Sequence, residues 1–161
     1  MSVLIEVTAF LNREARLLDD RQWDAWLECY TPDCTYWMPA WTDDDELVTD
    51  PQSQISLIYY ANRQGLEDRV YRLETERSSA STPEPRTTHM IANIELMDDR
   101  GDELEVRYNW HTLSHRFKMT SQFFGATFCT LRRVGDELKI SAKKIVLKND
   151  YINQVIDVYH V

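Results

Sequence analysis

The spacing of apolar residues changes once along this chain. It runs at three and four residues in the helical segments before Thr87 and changes to two from Thr87 onward. That single change limits the fold to helices first and a sheet afterwards, an α+β order. Val3, Val7, Phe10, Leu11, Leu17 and Leu18 predict a first helix with Ser2 as its cap. Asp19 followed by Gln22 reads as a capping box for a second helix, in which Trp23, Trp26, Leu27 and Tyr30 form one apolar stripe. Pro32 is expected to stop that helix, and Cys34 to Met38 has strand composition. Residues 40–54 are acidic and turn-rich, the pattern of a surface loop. Residues 55–60 read as a strand or the entry to a helix. Leu66, Val70 and Leu73 mark a third helix after Gly65, and 78–85 reads as a linker.

In the alternating half, Met90, Ala92, Ile94 and Leu96 form one expected strand face, and a turn falls at 98–102. Leu104, Val106, Tyr108 and Trp110 form the next strand, continuing to Phe117. Phe124, Ala126 and Phe128 open a strand to Arg133. Gly135-Asp136 supplies a hairpin turn, and Leu138, Ile140, Ala142 and Val146 mark a last strand. Three helices on one face of a strongly curved, mostly antiparallel sheet predict a single cone-shaped α+β domain over residues 1–161.

Several function classes are excluded by what the residues lack. The balance of 18 basic against 27 acidic residues, a net charge of -9, is unsuited to nucleic acid or an anionic membrane surface. The four glycines, Gly65, Gly101, Gly125 and Gly135, are too scattered for a dinucleotide fingerprint or phosphate loop. None of the three cysteines, Cys29, Cys34 and Cys129, has the nearby histidine that a Rieske centre requires, and their spacing makes no disulfide framework. No basic leader and no apolar run near ~20 residues is present, so a cytoplasmic location is expected.

The remaining candidates are few. His111 and His115 sit four apart, but on a strand that spacing separates them by about 13 Å, too far to share an ion. Cys129 reads as a small core residue. A cone-shaped domain encloses space between helices and sheet, and Tyr30, Asp33, His89 and His111 could line it. Such an Asp/His/Tyr set would suit a stand-alone isomerase or dehydratase. The structural alternative is that Tyr30 completes the tryptophan stripe, Asp33 lies in a turn and both histidines make structural hydrogen bonds. Trp37 and Trp41, bracketing Pro39, read either as core or as interface anchors.

Four segments carry a family resemblance: Ile55 to Arg63 (ISLIYYANR), Pro85 to Ile94 (PRTTHMIANI), Tyr108 to Leu113 (YNWHTL) and Val146 to Val161 (VLKNDYINQVIDVYHV). Together they resemble the small (β) subunits of bacterial aromatic-ring-hydroxylating dioxygenases, in the branch acting on benzoate, toluate, halobenzoate or anthranilate. The resemblance implies a fold related to nuclear transport factor and scytalone dehydratase. It implies a hetero-hexamer of three large and three small subunits, with the small subunits associating as a trimer. It also implies a Rieske [2Fe–2S] cluster and a mononuclear Fe(II) in the large subunit, with NADH delivering electrons through a reductase. No catalytic, cofactor-binding or metal residue is carried over to this chain. The expected role is structural, with His111, His115 and Phe117 and the tail residues Tyr151, Ile152, Val155, Ile156 and Tyr159 as candidates for subunit contacts.

Overall fold

The structure, a computed structural model, describes residues 2–76, 84–150 and 155–161. Its elements follow the expected order: α1 (Val3–Asp19), α2 (Trp23–Leu27), β1 (Tyr30–Pro39), β2 (Ser56–Tyr60), α3 (Arg63–Glu76), β3 (Arg86–Asp99), β4 (Glu103–Arg116), β5 (Met119–Val134) and β6 (Glu137–Leu147). A short 3-10 turn, Val158–His160, follows. The strands form one mixed sheet in the order β2-β1-β6-β5-β4-β3, antiparallel throughout except where β1 runs parallel to β6. Helix α1 packs on β3, and α3 on β1 and β2.

Each helix follows from its apolar face. On α1, Val7, Leu11 and Leu18 are buried, and the Ser2 hydroxyl accepts from Ile5 N–H at 3.3 Å, capping the first turn. Full burial of a side chain such as Leu11 contributes roughly 1.5–3 kcal/mol. Helix α2 is shorter than the tryptophan stripe suggested. It ends at Leu27, and Tyr30 opens β1 instead of closing the helix. Pro32 therefore lies inside a strand. Having no N–H to donate, it falls where the β1–β6 register slips between Tyr30 and Thr35. Asp19 is not the capping residue of α2; its carboxylate is used by β3, and α2 starts at Gln22 without a side-chain cap. Gly65 sits within α3 and does not precede it. The predicted linker at 78–85 is described only at Glu84 and Pro85; its other residues lie outside the described residues.

Strand β4 alternates as expected, with Leu104, Val106, Tyr108 and Trp110 buried. Strand β3 does not keep one phase. Asn93 takes a φ of +55 and the register to β4 slips between Ala92 and Glu95, so a bulge switches the inward set. Thr87, His89 and Ile91 face inward before it, and Ile94 and Leu96 after it, leaving Met90 43% exposed. A second slip, between Thr130 and Leu131 on β5, changes parity on β6 and turns Lys143, Ile145 and Leu147 inward.

Candidate subunit interface

The four residues proposed to line an interior pocket do not come together. Tyr30 is fully buried and its hydroxyl donates to Glu14 Oε1 at 2.7 Å. Asp33 lies on the surface, paired with Arg132 at 3.0 Å. His89 pairs across β3–β4 with Thr112, whereas His111 pairs with Met90, so the strand pleat puts the two histidines on opposite faces. His111 Nε2 lies 2.9 Å from Gln122 Oε1 on the outer face. His89 Nδ1 lies 2.5 Å from Asp19 Oδ1. Burial pushes the Asp19 carboxyl up, but the hydrogen bonds and charge of His89, with Thr87, outweigh it and hold the group below its ordinary value. An ionised carboxylate cannot donate, so Nδ1 carries the shared proton.

Behind α1 the interior holds a charge pair that the sequence reading missed. Glu14 Oε1 accepts from Lys143 Nζ at 3.2 Å, Trp26 Nε1 at 2.9 Å and Tyr30 hydroxyl at 2.7 Å. A signal was present: Glu14 falls on the same helical face as Val7, Leu11 and Leu18. Cys129 is buried as expected, and burial pushes its thiol up to about 12, away from nucleophilic use.

The outer sheet face is different in character. Cross-strand registers line up Arg107, Phe128, Lys144 and Trp37 in one row from β4 to β1. The Arg107 guanidinium lies 5.1 Å from the centre of the Phe128 ring, and Lys144 Nζ lies 5.3 Å from that of Trp37. A second row sets Met90 beside His111 and Phe124. Phe124 is 46% and Phe128 37% exposed, a high fraction for aromatic rings on a sheet. Trp37 also donates to Ser56 Oγ at 2.8 Å, and the half-exposed Trp41 donates to the Leu147 carbonyl at 2.7 Å.

The other contact candidates occupy the end of the β4–β5 hairpin and the tail. His115 Nδ1 lies 2.8 Å from Thr120 Oγ1. Phe117 and Lys118 form the hairpin's two-residue loop, both at positive φ (+52 and +62), the geometry of a type I′ turn. Neither is a glycine or asparagine, so the turn could not be read from composition, and each left-handed residue costs roughly 1–2 kcal/mol. Phe117 is 62% exposed on that strained loop. Val155 is exposed, whereas Ile156 and Tyr159 pack against the chain's own core. Tyr151 and Ile152 lie outside the described residues. Among the described residues, no three His, Cys, Asp or Glu side chains gather as metal ligands, and no helix is long and apolar enough to cross a membrane.

Comparison with known proteins agrees with this architecture. The family model for the ring hydroxylating beta subunit matches residues 13–154. The chain is 61% identical over 155 residues to the beta subunit of toluate 1,2-dioxygenase from Pseudomonas putida, covering 96% of each chain. The solved beta subunit of benzoate 1,2-dioxygenase from Burkholderia mallei is 53% identical and superposes with a TM-score of 0.87, covering 100% of this chain and 99% of that one. A chain assigned as a scytalone dehydratase from Novosphingobium aromaticivorans shares the fold at 14% identity, with a TM-score of 0.69 over 93% of this chain and 88% of that one. The cone fold is thus shared with an enzyme family, but sequence and structure together place this chain in another: it belongs to the ring hydroxylating beta subunit family of aromatic-ring dioxygenases.

Proposed function

We propose that this chain is a scaffold subunit of an aromatic-ring 1,2-dioxygenase that acts on a benzoate-type carboxylate. The observation carrying this reading is the contrast between its two sheet faces. On the inner face the pocket set it was expected to hold is dispersed. The outer face presents Phe124, Phe128, Trp37, Arg107 and Lys144, a mixture of aromatic and cationic side chains suited to protein contact. Through that face the chain associates with two further copies, giving a trimer on which three large subunits assemble. His111, His115, Phe117 and Val155 are further contact candidates.

In this reading the large subunit holds the Rieske cluster and the mononuclear iron, and a reductase supplies electrons from NADH. The complex adds both atoms of O₂ to the ring. The small chain, one domain over residues 1–161, contributes no catalytic residue and stabilises its partner by mass action in the cytoplasm. The test is expression of the chain alone and together with its large subunit. Alone it should purify colourless and inactive; together it should co-purify with a red-brown iron protein that turns over benzoate once the reductase and NADH are added. Stoichiometric iron in the isolated chain, or turnover without a companion, would overturn the reading.

A further inference from the structure

Seven buried side-chain nitrogen or oxygen atoms among the described residues have no hydrogen-bond partner, and their distribution is uneven. Two of them, Trp23 Nε1 and Arg116 Nε, belong to residues that line one recess, while His89 Nε2, Trp110 Nε1 and Thr112 Oγ1 lie on the neighbouring strands β3 and β4 outside its lining. Along β4 the inward residues Trp110, Thr112, Ser114 and Arg116 follow one another at every second position. Thr112 is paired with His89, and Ser114 with Thr87. Native interiors leave few such groups unpaired, so a cluster of them calls for an explanation.

That row ends at an open recess of about 190 Å³ walled by Leu18, Trp23, Leu73, Pro85 and Tyr159. A larger one of about 460 Å³ adjoins it over Arg69, Arg116, Pro85 and Tyr159. The space far exceeds one water, at roughly 30 Å³, and taken together the two recesses reach the usual size of a small-molecule site, roughly 300–1,000 Å³.

Three arginines line the first recess. Arg21 is bound by Glu84 and the Pro85 carbonyl, and Arg69 by Asp157. Among the described residues Arg116 makes a stacking contact and no ion pair, its guanidinium 4.5 Å from the centre of the Phe117 ring. Its buried Nε has no acceptor. Leaving such a donor unpaired is costly, and in a chain of net charge -9 a cation with no carboxylate partner among the described residues is conspicuous.

We infer that this recess binds a small aromatic carboxylate, with the carboxylate on Arg116 and the ring between Trp23, Pro85 and Tyr159. The wall chemistry selects the class. Guanidinium matches a planar carboxylate by paired N–H donors, and indole, proline and phenol surfaces match a flat apolar body. The inference goes beyond the proposed function, which gives this chain no ligand of its own.

The probe is benzoate, titrated calorimetrically into the purified full-length chain without its large subunit, with acetate and inorganic phosphate as competitors. Saturable binding of one equivalent is expected, displaced by neither competitor at equal concentration. Arg116→Gln should weaken it about tenfold or more, since one charge-assisted interaction is lost. Leu73→Trp, which fills the recess and leaves Arg116 in place, should abolish it. Near-ultraviolet circular dichroism of both variants reports whether the fold persists. No saturable binding by the unaltered chain would overturn the inference, as would unchanged affinity in a folded Arg116→Gln variant or equal displacement by acetate. Co-purification with the large subunit is measured separately, so failure of benzoate binding leaves the scaffold reading standing, and the reverse.

Discussion

Glu14 on α1 and Lys143 on β6 face each other at 3.2 Å, each side chain only 2% exposed, so one ion pair ties the first helix to the last strand inside the core. Burial pushes the Glu14 carboxyl up. The charge of Lys143 and the hydrogen bonds from Tyr30, Trp26 and Lys143 together outweigh that and hold it below its ordinary value. A pair of this kind is worth little against a well-packed apolar substitute, but removing one partner strands the other charge.

Lys143→Met should therefore destabilise the chain by about 3–5 kcal/mol in urea unfolding. The double variant Glu14→Gln/Lys143→Met should recover most of that loss, because a glutamine oxygen still accepts from Trp26 and Tyr30 and no net charge remains buried. A double variant as unstable as Lys143→Met alone would show that the loss comes from packing and not from the unpaired carboxylate.

How much of this was legible beforehand depended on regularity. Strand β4 was readable because Leu104 to Trp110 keep one phase for the whole strand. Strand β3 was not, since the bulge at Asn93 reverses the face on which Met90 and Ala92 lie, and a single asparagine inside an otherwise alternating run is a weak sign of a left-handed residue. The same applies to Lys143, which the apparent phase of Leu138, Ile140 and Ala142 puts outside and the slip after Ile140 brings inside. Tyr30 fitted the helical stripe at i+7, yet tertiary pairing of β1 with β6 claimed it for the sheet. The proposed Tyr30, Asp33, His89 and His111 pocket failed because facing depends on strand parity, which is set by these same irregularities.

Stability should also fall with pH through His160. Burial lowers its pKa from 6.5 to about 4, with Asp157 opposing and His89 adding to the shift. The ring is held neutral, its Nδ1 accepting from Asp157 N–H at 2.9 Å. Between those two values the unfolded chain binds more protons than the folded one. Stability is then fully present above about pH 6.5 and is lost as pH falls towards 4, by roughly 3 kcal/mol in all. Urea unfolding between pH 7 and 4 measures the slope. His160→Asn, which retains an acceptor for Asp157 N–H and cannot titrate, should flatten it; an unchanged slope would assign the effect to other groups.

Gly125 is fixed by close approach. A Cβ there would lie 1.9 Å from the Val146 carbonyl oxygen, a backbone atom of the neighbouring strand that cannot swing aside. Gly125→Ala should force β5 and β6 apart where Gly125 pairs with Leu147, costing about 1–3 kcal/mol or more. Gly135, in the β5–β6 turn at a φ of +64, has open space around it, so Gly135→Asn should cost well under half as much. Comparable melting temperatures for the two variants would contradict the crowding.

The outer sheet face separates folding from assembly. Phe128 is 37% exposed, and its ring is shared between Arg107 and Lys144. Phe128→Glu gives up the partial cover of the ring but offers both cations a carboxylate in its place, so the stability of the isolated chain should stay within about 1–2 kcal/mol of the unaltered chain. In a trimer packed through this face, the same change buries a carboxylate against a neighbour, and association should weaken by at least about a hundredfold, the usual effect of disrupting an aromatic anchor. Sedimentation velocity of the full chain across a concentration series reads the difference. A variant that sediments like the unaltered chain would move the contact elsewhere, with the hairpin end at His115 and Phe117 as the next face to alter.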